Sequence, residues 1–105
     1  MLILIFAESS LFERHLPHYL VDEEYSRVQV SLRRHPNLGV LIPGSGGLRK
    51  LRWGRKGTGK RGGVRIIYAV HGAHEIWLLT IYGKSDIADI PASLLRAIKR
   101  EMEHD

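Results

Sequence analysis

The sequence predicts an α+β fold in which helices pack on a small antiparallel β-sheet. Residues 64–70 (VRIIYAV) and 76–82 (IWLLTIY) have the length and the β-branched, aromatic content of strands. A short turn around His71-Gly72 joins them. Amphipathic segments flank these strands on both sides, and helices grouped at the ends of a run of strands are an α+β arrangement.

The elements follow in order. Residues 1–6 (MLILIF) are apolar, too short to span a membrane and without a basic leader, so they read as a first strand. Ser10-Leu-Phe-Glu13 has the spacing of a capping box, which starts a short helix that Pro17 stops or bends. Asp22 is placed as the N-cap of a second helix, with Glu23 and Glu24 at its positive end. Tyr25, Val28 and Leu32 form its apolar stripe, Arg27, Arg33 and Arg34 lie off it, and Pro36-Asn37 ends it. The two helices make an N-terminal helical hairpin.

Residues 39–42 read as a short strand, closed by the turn-forming run Pro43-Gly44-Ser45-Gly46-Gly47. Residues 48–53 alternate, so Leu51 and Trp53 face one way and Lys50 and Arg52 the other. Two cations then project from one side of a sheet whose other side is buried. Residues 54–63 form a basic, glycine-rich loop before the two long strands. A last helix begins near Pro91, with Leu94, Leu95, Ile98 and Met102 as its apolar stripe. Leaving the short segment at 39–42 aside, the order is β-α-α-β-β-β-α.

A chain of 105 residues with 44% hydrophobic content makes one domain, residues 1–105, that buries a core without metal or disulfide staples. Cysteine is absent, which excludes disulfides and thiolate chemistry and fits a cytoplasmic setting. The net charge is +5, but its distribution says more. From Glu24 to Glu75 no carboxylate occurs, while eleven Lys and Arg accumulate, eight of them between Arg49 and Arg65. Eight of the eleven glycines fall between Gly44 and Gly63. Such a patch suits nucleic acid, an anionic surface or an acidic protein, and a phosphate backbone is the leading partner.

Two motifs in the loop mislead. Gly54-RKGT-Gly59-Lys60 follows a phosphate-binding loop pattern, but Arg61 stands where a Ser or Thr is needed, and a strand follows instead of a helix. Gly57, Gly59 and Gly62 fit a dinucleotide fingerprint and fail on the same context. His15-x-x-His18 and His71-x-x-His74 lack partners at metal spacing, so no metal is assigned. Tyr68, Trp53 and Trp77 are assigned to the core.

Three blocks occur in order: Pro43-Gly44-x-Gly46-Gly47-Leu48-Arg49-Lys50-Leu51-Arg52-Trp53, then Gly59-Lys60-Arg61-Gly62-Gly63-Val64-Arg65-Ile66-Ile67-Tyr68, then Leu78-Leu79-x-Ile81-Tyr82-x-Lys84. In these the chain resembles the RelE superfamily of bacterial toxins, most of all its HigB-type branch, over nearly its whole length. The resemblance implies a toxin neutralised by a cognate antitoxin, which cleaves mRNA in the ribosomal A site. It implies contact with DNA only indirectly, through the antitoxin complex, and no membrane or cofactor. The positions it carries over are Lys50, Arg52, Lys56, Lys60, Arg65, Tyr82 and Lys84. At residues 85–91 (SDIADIP) the chain lacks the further basic residues of the enterobacterial RelE type, and its final helix has no tyrosine, so the general base is left open.

The chemistry expected of these residues is metal-independent attack of a ribose 2′-OH on the adjacent phosphate. Arg65 has the fixed charge and planar fork to neutralise a phosphorane. Lys50, Arg52, Arg55, Lys56 and Arg61 hold flanking phosphates. Lys56, Lys60 and Lys84 are candidates for proton transfer, since crowded cations ease the loss of a lysine proton. Tyr82 exchanges a proton or stacks on a base. The plainer expectations are that Tyr82 packs half-buried and that Arg65 pairs with a C-terminal carboxylate such as Glu101. Two other functions compete: a ParE-like gyrase poison, and an RNA- or ribosome-binding module without chemistry.

Overall fold

The computed structural model describes residues 4–54, 63–86 and 89–104. In chain order the elements are β1 (Ile5–Glu8), α1 (Ser10–Tyr19), α2 (Asp22–Arg34), β2 (Val40–Leu41), β3 (Arg49–Trp53), β4 (Val64–His71), β5 (Glu75–Gly83) and α3 (Ala92–Glu103). The strands form one sheet in the order β1-β5-β4-β3-β2. The fold is α+β.

The sheet is mixed, which corrects the all-antiparallel expectation. β1 runs parallel to β5, with Ile5 opposite Glu75 and Glu8 opposite Leu78, whereas β2–β3, β3–β4 and β4–β5 are antiparallel. The direction of β1 depends on a partner some seventy residues away, which local periodicity does not encode. The short strand at 40–41 does pair with β3, giving five strands.

The helix boundaries also shift. Ser9, not Ser10, caps α1: its hydroxyl accepts from the Phe12 N–H (2.9 Å) and donates to the Leu79 carbonyl (2.6 Å). That second bond ties the start of α1 to β5. α1 runs two residues past Pro17, whose missing N–H costs one helical bond, and closes with the Leu20 N–H on the Leu16 carbonyl. Asp22 lies inside the first turn of α2; Val21 is the cap residue and makes no side-chain bond.

Apolar residues fill both faces of the sheet. Phe12, Val28 and Leu32 of the helical hairpin pack with Leu51, Val64, Ile66, Tyr68, Ile76, Leu78 and Ile81. On the other face Leu95, Ile98 and Met102 of α3 pack with Leu48, Ile67, Ala69, Trp77, Leu79 and Tyr82. The cation-bearing side is therefore partly covered, where the alternation of β3 alone implied an open one. Leu94 leaves the expected stripe and is half exposed.

Four local devices position the sheet. The buried Tyr68 hydroxyl accepts from the Gly39 N–H (2.8 Å) and donates to the Pro36 carbonyl (2.7 Å), pinning the loop after α2. In the turn before β3, Gly44, Gly46 and Gly47 take positive φ. Buried Ser45 closes that turn, donating to the Ile42 carbonyl (2.6 Å) and accepting from the Leu48 N–H (3.0 Å). Arg96 of α3 donates to the Gly44 carbonyl, so the glycine-rich block supports the start of β3. Among the described residues, no helix is long and apolar enough to cross a membrane.

Candidate nucleic-acid interface

The β3–β4–β5 register aligns Arg52 opposite Arg65, and Arg65 opposite Tyr82. Lys50 begins the neighbouring row, opposite Ile67 and then Thr80. Leu51, Val64, Ile66 and Ile81 point to the helical hairpin. Alternation therefore sends Lys50, Arg52, Arg65 and Tyr82 to the face on which α3 packs.

Tyr82 reaches that face through a bulge. Ile67 pairs with Thr80 but Tyr68 pairs with Leu78, leaving Leu79 without a partner in the ladder. Strict alternation from Ile76 and Leu78, which face the hairpin, would turn Tyr82 the same way. One extra residue reverses the parity and places Tyr82 beside Arg65.

Arg49 belongs elsewhere. It faces the opposite side, and its guanidinium donates to the carbonyls of Gly39 (2.7 Å) and Asn37 (3.3 Å). Arg52, Arg65 and Lys84 line a shallow cleft of about 400 Å³ with Trp53, Gly54 and Gly63. The Lys84 N–H donates to the Gly63 carbonyl (3.2 Å), which fixes the floor at the end of the β4–β5 ladder. Arg55, Lys56, Lys60 and Arg61 lie outside the described residues.

A carboxylate completes the cluster. Asp89, on the connection to α3, pairs with Lys50 at 2.8 Å. The Lys50 hydrogen bond and charge hold the Asp89 carboxyl below its ordinary range, and Arg65 and Arg52 pull the same way. Burial pushes the Tyr82 phenol up, Lys50 and Arg65 oppose that rise, and Asp89 adds to it. Tyr82 thus stays protonated at neutral pH and can donate a hydrogen bond or a proton, but it is no phenolate base.

The structure brings Arg52, Arg65 and Lys84 into one cleft, while Lys50 lines a second cleft with Arg52 and Tyr82 a third with Asp89 on the same face of the sheet. Tyr82 is 3% exposed, so it packs beneath the cations more fully than a half-buried residue. Glu101 lines a separate cleft with Ser9, Ser10, Leu11 and Arg14, and among the described residues no ion pair joins it to Arg65. Trp77 lies toward the opposite end, stacked on His71 with ring centroids 3.8 Å apart. Asp89 is the residue that sequence reasoning missed. It contacts Lys50 across 39 residues, and no spacing or motif announces that contact.

The arrangement can bind a phosphodiester: guanidinium groups fixed on adjacent strands, a lysine at the rim and a protonated phenol below. The chain matches no known protein-family model.

Proposed function

We propose that this protein is a toxin of a toxin–antitoxin pair, acting in the cytoplasm as a metal-independent endoribonuclease on ribosome-bound mRNA. The observation that carries the reading is the shared cleft of Arg52, Arg65 and Lys84, with Tyr82 opposite Arg65 in the β4–β5 ladder. Arg52 and Arg65 neutralise the charge that builds on phosphorus as the 2′-oxygen attacks. The bond from the 2′-oxygen to phosphorus forms as the bond to the 5′-oxygen breaks. Lys56, Lys60 and Lys84 are the candidates to take the 2′-OH proton and to protonate the departing 5′-oxygen. Tyr82 holds a non-bridging oxygen. The A site of the ribosome supplies the mRNA, and a cognate antitoxin silences the enzyme by occupying the same cations.

Mapping transcript 5′ ends after brief induction tests this. New ends at discrete codons, absent with Arg65→Ala, are the expected result. Intact transcripts with ongoing growth arrest would overturn it. A second reading, an RNA- or ribosome-binding module without chemistry, draws on the burial of Tyr82. It expects ribosome binding that weakens steeply with salt and creates no new ends.

A further inference from the structure

We propose that Asp89 is a built-in counter-ion for the cation row, which an incoming RNA phosphate displaces from Lys50. The inference rests on reading the row as a phosphate site, and it names the residue that competes for that site. The Asp89 carboxylate lies 2.8 Å from the Lys50 ammonium, at a position whose field is shaped by Arg65 and Arg52. Carboxylate and phosphate oxygens satisfy Lys and Arg through the same charge-assisted bonds, so both compete for one place.

Among the described residues, Lys50 is the one bonded partner of the Asp89 side chain. Its side chain is 74% exposed and so is not held by packing. It does not cap α3, which begins after Pro91 without a side-chain cap. Asp86 makes the contrast: it accepts from the Tyr19 hydroxyl at 2.8 Å and its N–H bonds the Gly83 carbonyl, which is a structural role. Lys50, by comparison, is only 25% exposed and projects from a strand, so its ammonium stays near the row while the carboxylate leaves. An exposed pair of this kind is weak, and salt screens it further. Exchange therefore trades one anion for another without leaving Lys50 unpaired.

The test titrates inorganic phosphate and a short RNA, made uncleavable by 2′-deoxy substitution, into four proteins at low salt: the wild type, Asp89→Asn, Asp89→Ser and Arg65→Ala. Thermal melts confirm that each is folded, and the two Asp89 variants guard against failure of either one. Both Asp89 variants are expected to bind about two- to five-fold more tightly than wild type, the range of an exposed ion pair, with the gain fading as salt rises. Arg65→Ala is expected to bind more weakly. A purely structural Asp89 would give weaker binding on replacement. If Arg65→Ala weakens binding while neither Asp89 variant strengthens it, the counter-ion role is overturned and the phosphate site survives. If none of the variants changes affinity, the row is not a phosphate site and both readings fall.

Discussion

Arg52 of β3 and Arg65 of β4 stand directly opposite each other across the ladder, with Tyr82 next in the same row. Like charges in directly opposed positions repel, and neither arginine has an ion-pair partner among the described residues. Replacing Arg52 or Arg65 with Gln should leave the melting temperature unchanged or slightly raised. RNA affinity should fall, and the slope of log affinity against log salt should shrink by about one for each phosphate that is no longer neutralised. An unchanged slope in both variants would place the RNA elsewhere.

Tyr82 separates chemistry from packing. Tyr82→Phe keeps the ring against α3 and removes only the hydroxyl, so its stability should match wild type. As the hydroxyl holds a non-bridging oxygen, cleavage should drop by roughly 10²-fold, the lower end for losing one donor to a developing oxyanion. Tyr82→Ala would instead cost about 3–5 kcal/mol through the cavity it leaves, and says little about catalysis. Full cleavage by Tyr82→Phe would remove the hydroxyl from the mechanism.

Gly39 is closely confined. A Cβ there would lie 2.8 Å from the Tyr68 ring and 3.0 Å from the Lys50 backbone. Gly39→Ala should therefore destabilise the fold by about 1–3 kcal/mol, as overpacking does. Tyr68→Phe should cost a similar ~1–3 kcal/mol, because it leaves the Gly39 N–H without its acceptor. Denaturant unfolding of the two variants checks both.

Alkaline pH should unfold the protein early. Burial raises the phenols of Tyr25, Tyr68 and Tyr82, and the hydrogen bond to Glu8 adds to the rise at Tyr25. Unfolded tyrosine loses its proton near the ordinary value of about 10, while the folded groups hold theirs to higher pH. Above about 10 the unfolded state binds fewer protons, so stability falls as pH climbs. Tyr25→Phe should flatten that decline. An equally steep decline in Tyr25→Phe, measured by melts between neutral and alkaline pH, would contradict the assignment.

Acid acts on the other charged contact. The Asp89 carboxyl is held low in the fold, so its contribution is present above the unfolded carboxylate range and lost as pH falls through the lower, folded value. Asp89→Asn should lose this small acid-dependent component and otherwise melt like wild type at neutral pH.

Much of the fold was legible in the chain. The β4 and β5 runs, the Val28 and Leu32 stripe and the Leu95 face of α3 declare themselves through local period, because burial repeats every second or third to fourth residue. So did the cations on β3, since alternation alone separates Lys50 and Arg52 from Leu51. The starts of α1 and α2 were off by one residue. Ser9 and Ser10 are chemically equal candidates for one cap, and the acidic Asp22 serves the first turn of α2 as well as it would serve the cap. Composition and order thus determined the α+β class and where positive charge collects. Only the tertiary structure decided that β1 lies parallel to β5, that the extra Leu79 turns Tyr82 toward Arg65, and that Asp89 meets Lys50. Each of these depends on pairing between distant segments, whose register is chosen by the packing of the whole sheet and not by the residues on either side.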